Sequence, residues 1–304
     1  MSYPPEYARD FRGYGPKTPD PQWPGGARVA VSIVLNIEAG AELNQADGDE
    51  RNNSVYEINE LVEQGPDFCM SSHFDFGPRA GYWRIIRLLE KFDIRASASC
   101  CGRSLERMPW LGRDLIERGH EVSCHSYRWE RHSELSLEKE REVIGRAVEA
   151  IKQACGRAPI GWHTRGAPST NTRRLLAQEF GFHYDSDAYD DDLPYLREIG
   201  NEPYVIMPYA FDTNDMGFMP GGKFALASDF AECCIDAFDV LHEEAETSPK
   251  MMSIGLHPRL IGRASRIKGL RDFLEHVQSK GGAWFARRMD IAEHFRLQTS
   301  GDKV

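Results

Sequence analysis

The stretch RVAVSIVLN, residues 28–36, decides the architecture. It is short, continuous and rich in β-branched residues, without polar alternation. That is the pattern of a strand buried on both faces. Such a strand needs covering layers on both sides, and the flanking sequence supplies them. Residues 79–92 place Trp83, Ile86, Leu89 and Phe92 at helical spacing, and 94–101 is again strand-like. Residues 110–118 read as a helix stopped by Gly119 and followed by a short strand at 120–124. Residues 136–155 form a long amphipathic helix with Ser136 as its N-cap. Further strands are expected at 160–163, 183–186, 204–207, 251–257 and 283–286, and helices at 171–180, 229–244, 265–279 and 290–295. The alternation predicts an α/β fold, a distorted parallel (β/α) barrel of about seven strands, with an open doubly wound sheet as the alternative. Residues 1–26 read as an extended leader and 27–304 as a single catalytic domain. No Gly-x-Gly-x-x-Gly follows the first strand, so a dinucleotide cofactor is not indicated.

With 304 residues, 41% of them hydrophobic and 28% charged, the chain has the makings of a full core. Its net charge of −10 and lack of a long basic run argue against nucleic acid as a partner. The longest apolar run holds about nine residues against the roughly 20 of a membrane span. The leader lacks the apolar core of a secretion signal, so a cytoplasmic protein is expected. Seven cysteines without a CxxC pair read as buried thiols in a reducing compartment, indicating neither a zinc ribbon nor a disulfide framework.

Parallel α/β folds gather reactive groups at the C-terminal ends of their strands. Five such ends are chemically equipped: Asn36-Ile37-Glu38-Ala39-Gly40, Cys124-His125-Ser126-Tyr127-Arg128-Trp129, Trp162-His163-Thr164-Arg165-Gly166, Tyr184-Asp185-Ser186-Asp187 and Gly255-Leu256-His257-Pro258-Arg259. A carboxylate, imidazoles and a guanidinium on one rim suit hydrolysis. The runs GHEVSCHSYRW (119–129), GLHPRLIGRASR (255–266), GPRAGYWRIIRLL (77–89), RGYGPKTPDPQWPG (12–25), NTRRLL (171–176), YDSDAYDDDLPY (184–195), FDTNDMGF (211–218), DAFDVLHEE (236–244) and ARRMDIAEHF (286–295) carry a resemblance to a known family. Over nearly its whole length the chain resembles the NodB-like polysaccharide deacetylase superfamily, within it the allantoinase and cyclic imide hydrolase branch.

The departures from the family pattern bear on the chemistry. Metal-dependent members carry an Asp-Asp pair after strand one and a His-x-x-x-His motif; here Glu38-Ala39 and His125-x-x-x-Trp129 stand there. Ala39 has no donor atom and Trp129 offers only an indole N–H, so no metal cofactor is expected. A rearranged zinc site built from Glu38, His73, Asp75, His125 and His257 is the competing possibility. The resemblance implies metal-independent ring opening of a small cyclic amide. Without a metal the side chains must do the work, so Glu38 is expected as general base or water orienter and His257 or His125 as the source of a proton for the leaving nitrogen. Arg165 and the Gly166 turn would hold a ring carbonyl, and His73, Asp75, Trp129, His163 and Tyr189 would line the substrate pocket. An imide ring, with fewer N–H donors than a ureide, suits a rim with fewer acids than the allantoinase pattern.

Bland readings stand beside these. Glu38 could be a paired structural carboxylate, His125 a loop ligand, and His73 and Asp75 caps of the following helix. Asp190, Asp191 and Asp192 read as a solvated turn, Arg287 and Arg288 as helix-cap or interface charges, and His120, His132, His183, His242, His276 and His294 as structural or surface residues. Rival functions are a metal-dependent deacetylase of an amino-sugar polymer and a non-catalytic binder of a small ring. The resemblance also implies a homo-oligomer, possibly a tetramer, with residues 3–23 of the leader as a candidate subunit clasp.

Overall fold

A computed structural model describes residues 4–300 apart from Tyr56, Asn59 and Pro220. Strand β1 (Val29–Ile37) is buried at every position, as its unbroken apolar run requires. It is followed by α1 (Phe68–Phe76), α2 (Tyr82–Lys91), β2 (Ser97–Cys100), α3 (Gly102–Arg107), α4 (Pro109–Glu117), β3 (Glu121–Cys124), α5 (Leu137–Cys155), β4 (Gly161–Trp162), α6 (Thr172–Arg174), β5 (Tyr184–Asp185), β6 (Tyr195–Ile199), β7 (Glu202–Ile206), α7 (Ala227–Glu244), β8 (Lys250–Leu256), α8 (Ile267–Lys280), β9 (Ala283–Phe285) and α9 (Arg288–Ser300). The Ser136 hydroxyl accepts from the Lys139 amide at the start of α5, which is the expected N-cap.

The strands form one curled, mostly parallel sheet in the order β6-β7-β5-β4-β3-β2-β1-β8, with β9 beside the start of β1. An isolated bridge between Asn214, beyond β7, and Gly255 of β8 draws the two ends together. The result is a distorted NodB-like barrel. The described residues form nine strands where about seven were expected. The strand without a counterpart in the sequence reading is β6, which pairs antiparallel with β7 across Gly200-Asn201, both at positive φ. That turn is a two-residue hairpin signal, but its flanks are half-exposed and polar and lack clean alternation. Helix α1 was also missed, because its sequence FCMSSHFDF has almost no amphipathic period.

The leader is not structureless. It has short 3₁₀ turns at Pro5–Tyr7 and Pro24–Gly26 and lies along its own chain. The buried Trp23 indole donates to the Lys250 carbonyl at 2.9 Å, and Tyr7 lies 4.4 Å beneath the Arg173 guanidinium. Arg288 needs a correction as well. It is buried inside the barrel, donating to Ser186 Oγ at 3.0 Å, Ser253 Oγ at 2.7 Å and the Met207 and Pro208 carbonyls, so it serves neither as an exposed cap nor at an interface. The seven cysteines are free; Cys100, Cys101, Cys124 and Cys234 are buried, whereas Cys69 is exposed and Cys155 and Cys233 are half-buried. Among the described residues no helix is long and apolar enough to cross a membrane.

Candidate active site

Strand alternation puts the reactive groups in one layer. Ile37, Cys124, Trp162 and Leu256 end β1, β3, β4 and β8, and all four belong to the main apolar core. Successive side chains on a strand face opposite ways, so the next residues, Glu38, His125, His163 and His257, turn to the other side. The parallel register aligns them: Cys124 pairs with Trp162, and Leu35 with Leu256.

Glu38, His125 and His257 are all at most 5% exposed. Glu38 Oε1 lies 3.5 Å from His125 Nε2, and Oε2 lies 3.9 Å from His257 Nε2. Both imidazoles have the other nitrogen committed. His125 Nδ1 donates to the His163 carbonyl at 2.6 Å, and His257 Nδ1 donates to Asp215 Oδ1 at 2.6 Å. Asp215 is fully buried and accepts two more bonds through Oδ2, from the amides of His257 at 2.7 Å and Ile261 at 3.1 Å. In a neutral imidazole the nitrogen facing Glu38 is then an acceptor. Three acceptors therefore converge, at separations too long for direct strong bonds and suited to a shared proton or a bridging water.

The Glu38 charge is balanced by Arg259, whose Nη1 donates to Oε2 at 2.5 Å. Burial alone would raise the Glu38 carboxyl; the Arg259 guanidinium and the His125 and His257 rings beside it outweigh that and hold the group well below the usual carboxylate range. Arg259 also donates through Nε to Glu57 Oε1 at 3.0 Å, and Glu57 lies 3.8 Å from His73 Nε2. Burial raises Glu57 too, but the His73 contact and the Arg259 charge bring it down to about 2. The guanidinium is seated by a close backbone approach. A Cβ on Gly81 would fall 1.9 Å from the Pro258 carbonyl oxygen, so only glycine lets the π-helical turn Gly77–Gly81 pack there.

Of the residues expected at the site, Glu38, His125, His163 and His257 come together, and Tyr189 joins them, its hydroxyl 3.3 Å from His163 Nε2. Burial, then the neighbouring His125 and Arg288, hold the His163 imidazole well below its ordinary value, so it is neutral. His73 stands behind Arg259, against Glu57 and Arg263. Asp75 is exposed on α1 and does not reach the group. Arg165 lies 3.7 Å over the Trp129 ring, and the guanidinium beside Glu38 is Arg259 instead. Asp190 and Asp192 are exposed and Asp191 caps the Leu193 amide, as a solvated turn would. Sequence reasoning missed Asp215, Arg259, Glu57 and Tyr209, whose ring packs 4.6 Å from His163. Extending the strand-end rule to β7, which ends at Ile206, would have reached Tyr209.

These donors do not fit the metal centre that the superfamily resemblance brings to mind. Ala39 offers no atom, the Trp129 ring nitrogen is a buried donor without a partner, and Glu38 is already held by a guanidinium. Among the described residues no three His, Cys, Asp or Glu side chains are grouped to hold an ion.

A buried carboxylate between two oriented imidazoles, at the C-terminal mouth of a NodB-like barrel, equips the chain for hydrolysis. The comparisons agree on the class. Residues 63–184 match the family model described as polysaccharide deacetylase. A protein of Schizosaccharomyces pombe described as a putative polysaccharide deacetylase is 36% identical over 94% of this chain and 96% of its own length. The chain belongs to the polysaccharide deacetylase family. Two crystal structures superpose with a TM-score of 0.91 at 40% identity, each over 96% of this chain: PuuE allantoinase, over 98% of its chain, and a probable polysaccharide deacetylase from Pseudomonas aeruginosa, over 99%. A peptidoglycan deacetylase of Helicobacter pylori is 24% identical over 72% of this chain and 85% of its own.

Proposed function

We propose that this chain opens the ring of a small cyclic amide, an imide or ureide, by adding water across the C–N bond without a bound cation. One observation carries the reading: two imidazoles, each with Nδ1–H engaged, turn Nε2 onto the two oxygens of one guanidinium-paired carboxylate. His257, backed by Asp215, accepts the proton of the attacking water. His125, carrying the proton that the three groups share, delivers it to the departing ring nitrogen, and the proton taken from water by His257 replaces it. Glu38, held too far down to keep a proton itself, orients the water and stabilises whichever imidazole is charged. The products are an open-chain carboxylate and its amide or ureide nitrogen. The likeness to PuuE allantoinase over nearly the whole chain supports a cyclic substrate. The burial of Glu38, His125 and His257, which shields the reacting atoms from bulk water, is in keeping with a small substrate.

The test is a panel of succinimide, maleimide, hydantoin, dihydrouracil, allantoin and an acetylated chitooligomer, assayed in chelator-containing buffer alongside metal analysis. Turnover of at least one ring under chelation is expected. Turnover of the chitooligomer alone, or activity that tracks stoichiometric zinc and disappears with chelation, favours a metal-dependent deacetylase of an amino-sugar polymer and overturns this reading. Glu38→Gln is expected to lower kcat on the best ring by about 10²–10³-fold with an unchanged circular dichroism spectrum. Near wild-type kcat in that variant removes Glu38 from the mechanism.

A further inference from the structure

Arg165 is a guanidinium to which the chemistry proposed above gives no task. It is half-buried, stacked 3.7 Å over the Trp129 ring, and has no acceptor among the described residues. Beneath it Trp129 is 7% exposed, and its indole N–H is also without a hydrogen-bond partner. Of the acids that line the same cleft, Glu63 is exposed, and Glu130 and Glu134 are committed elsewhere. Glu130 accepts from Ser126 Oγ at 3.0 Å and from the Arg128 amide at 2.7 Å, and Glu134 pairs with Arg131 at 3.1 Å. All of these residues except Ser126 line one cleft of about 920 Å³. A guanidinium without an acceptor, stacked on a ring whose buried N–H also has no partner, is an arrangement able to receive an anion.

The receptor is tied to the reactive group by the backbone. Arg165 lies two residues beyond His163, whose carbonyl accepts from His125 Nδ1, and Trp129 lies four residues beyond His125. We infer that Arg165 and Trp129 receive a carboxylate arm of the substrate, so that the preferred substrate is a cyclic amide bearing an acidic substituent. A guanidinium fork matches a carboxylate with two parallel hydrogen bonds, stacking on the indole holds the fork in place beforehand, and the indole N–H is a third donor. This rests on the ring-opening function proposed above and names the kind of ring.

The experiment compares hydantoin with hydantoin-5-acetate, which share a ring and differ in one carboxylate. In the wild-type enzyme kcat/KM is expected to be about tenfold or more higher for the acid, with the preference shrinking as salt is added. Arg165→Met keeps length and stacking but loses the charge. It should reduce kcat/KM for the acid about tenfold more than for hydantoin, mainly through KM. Trp129→Phe, which keeps the ring and loses the N–H, should act in the same direction. Equal use of the two compounds, or an Arg165→Met loss of the same size on both, overturns the inference while leaving ring opening intact. If neither compound is hydrolysed, calorimetric titration with hydantoin-5-acetate decides: binding weakened about tenfold by Arg165→Met upholds the anion receptor, and absent or unchanged binding overturns it.

Discussion

Asp215→Asn is expected to lower kcat by about 10³-fold or more while KM changes little. The reason is the proton on His257. Asp215 Oδ2 accepts two backbone amides, from His257 and Ile261, and Oδ1 accepts Nδ1–H of the ring. In the variant the two amides retain the carboxamide oxygen at the first position, so the NH₂ group turns to the ring. A donor there forces Nδ1 to become the acceptor and moves the proton to Nε2, the nitrogen that must accept from water. The fold survives, because both backbone bonds are kept. Steady-state kinetics on the best ring substrate checks this, and kcat within a few-fold of wild type sinks the assignment of His257 as proton acceptor.

Arg259→Met is the second large effect, read in stability. Arg259 is buried and donates to both Glu38 at 2.5 Å and Glu57 at 3.0 Å. Removing it leaves two carboxylates facing an apolar side chain, at a cost of about 3–5 kcal/mol. For a chain of this size the melting temperature should fall by roughly 5–15 °C at neutral pH. The pH dependence has a definite sign. A carboxyl depressed in the folded state contributes stability above its unfolded value, and that stability is lost as pH falls through the folded one. For Glu57 the window runs from 4.5 down to about 2. Without the guanidinium both carboxyls rise, so the gap between wild type and variant is widest at neutral pH and narrows on acidification through this window. Melting curves from pH 7 to pH 3 measure it; a gap constant with pH shows that Arg259 acts through packing alone.

How much of this was legible in the chain depends on the kind of signal. Val29 to Leu35 could be read as a buried strand because its apolar run is continuous, rich in β-branched residues and too short for a buried helix. Glu38, His125, His163 and His257 could be found because a parallel barrel makes the residue after a strand a rim residue, whatever its loop does next. Asp215 and Arg259 were not singled out although both lie in segments that carried the family resemblance. Asp215 is far along a loop that the bridge from Asn214 to Gly255 brings back to the barrel, and nothing in FDTNDMGF announces that closure. Arg259 could not be told from Arg165: each follows a rim histidine by two residues, and the choice between them depends on which loop folds inward.

The amino-acid sequence by itself determined the alternating α/β architecture, the layer in which acid and imidazoles meet, and the lack of metal-coordinating atoms at positions 39 and 129. These are matters of local period and side-chain composition, which each segment carries wherever it is placed. Only the tertiary structure decided which guanidinium pairs with Glu38, which carboxylate orients His257, and which cation stands unpaired over Trp129. Each of these is a contact between residues distant in the chain, set by loop closure and barrel curvature, and electrostatic pairing over a few ångströms follows from where the backbone ends up.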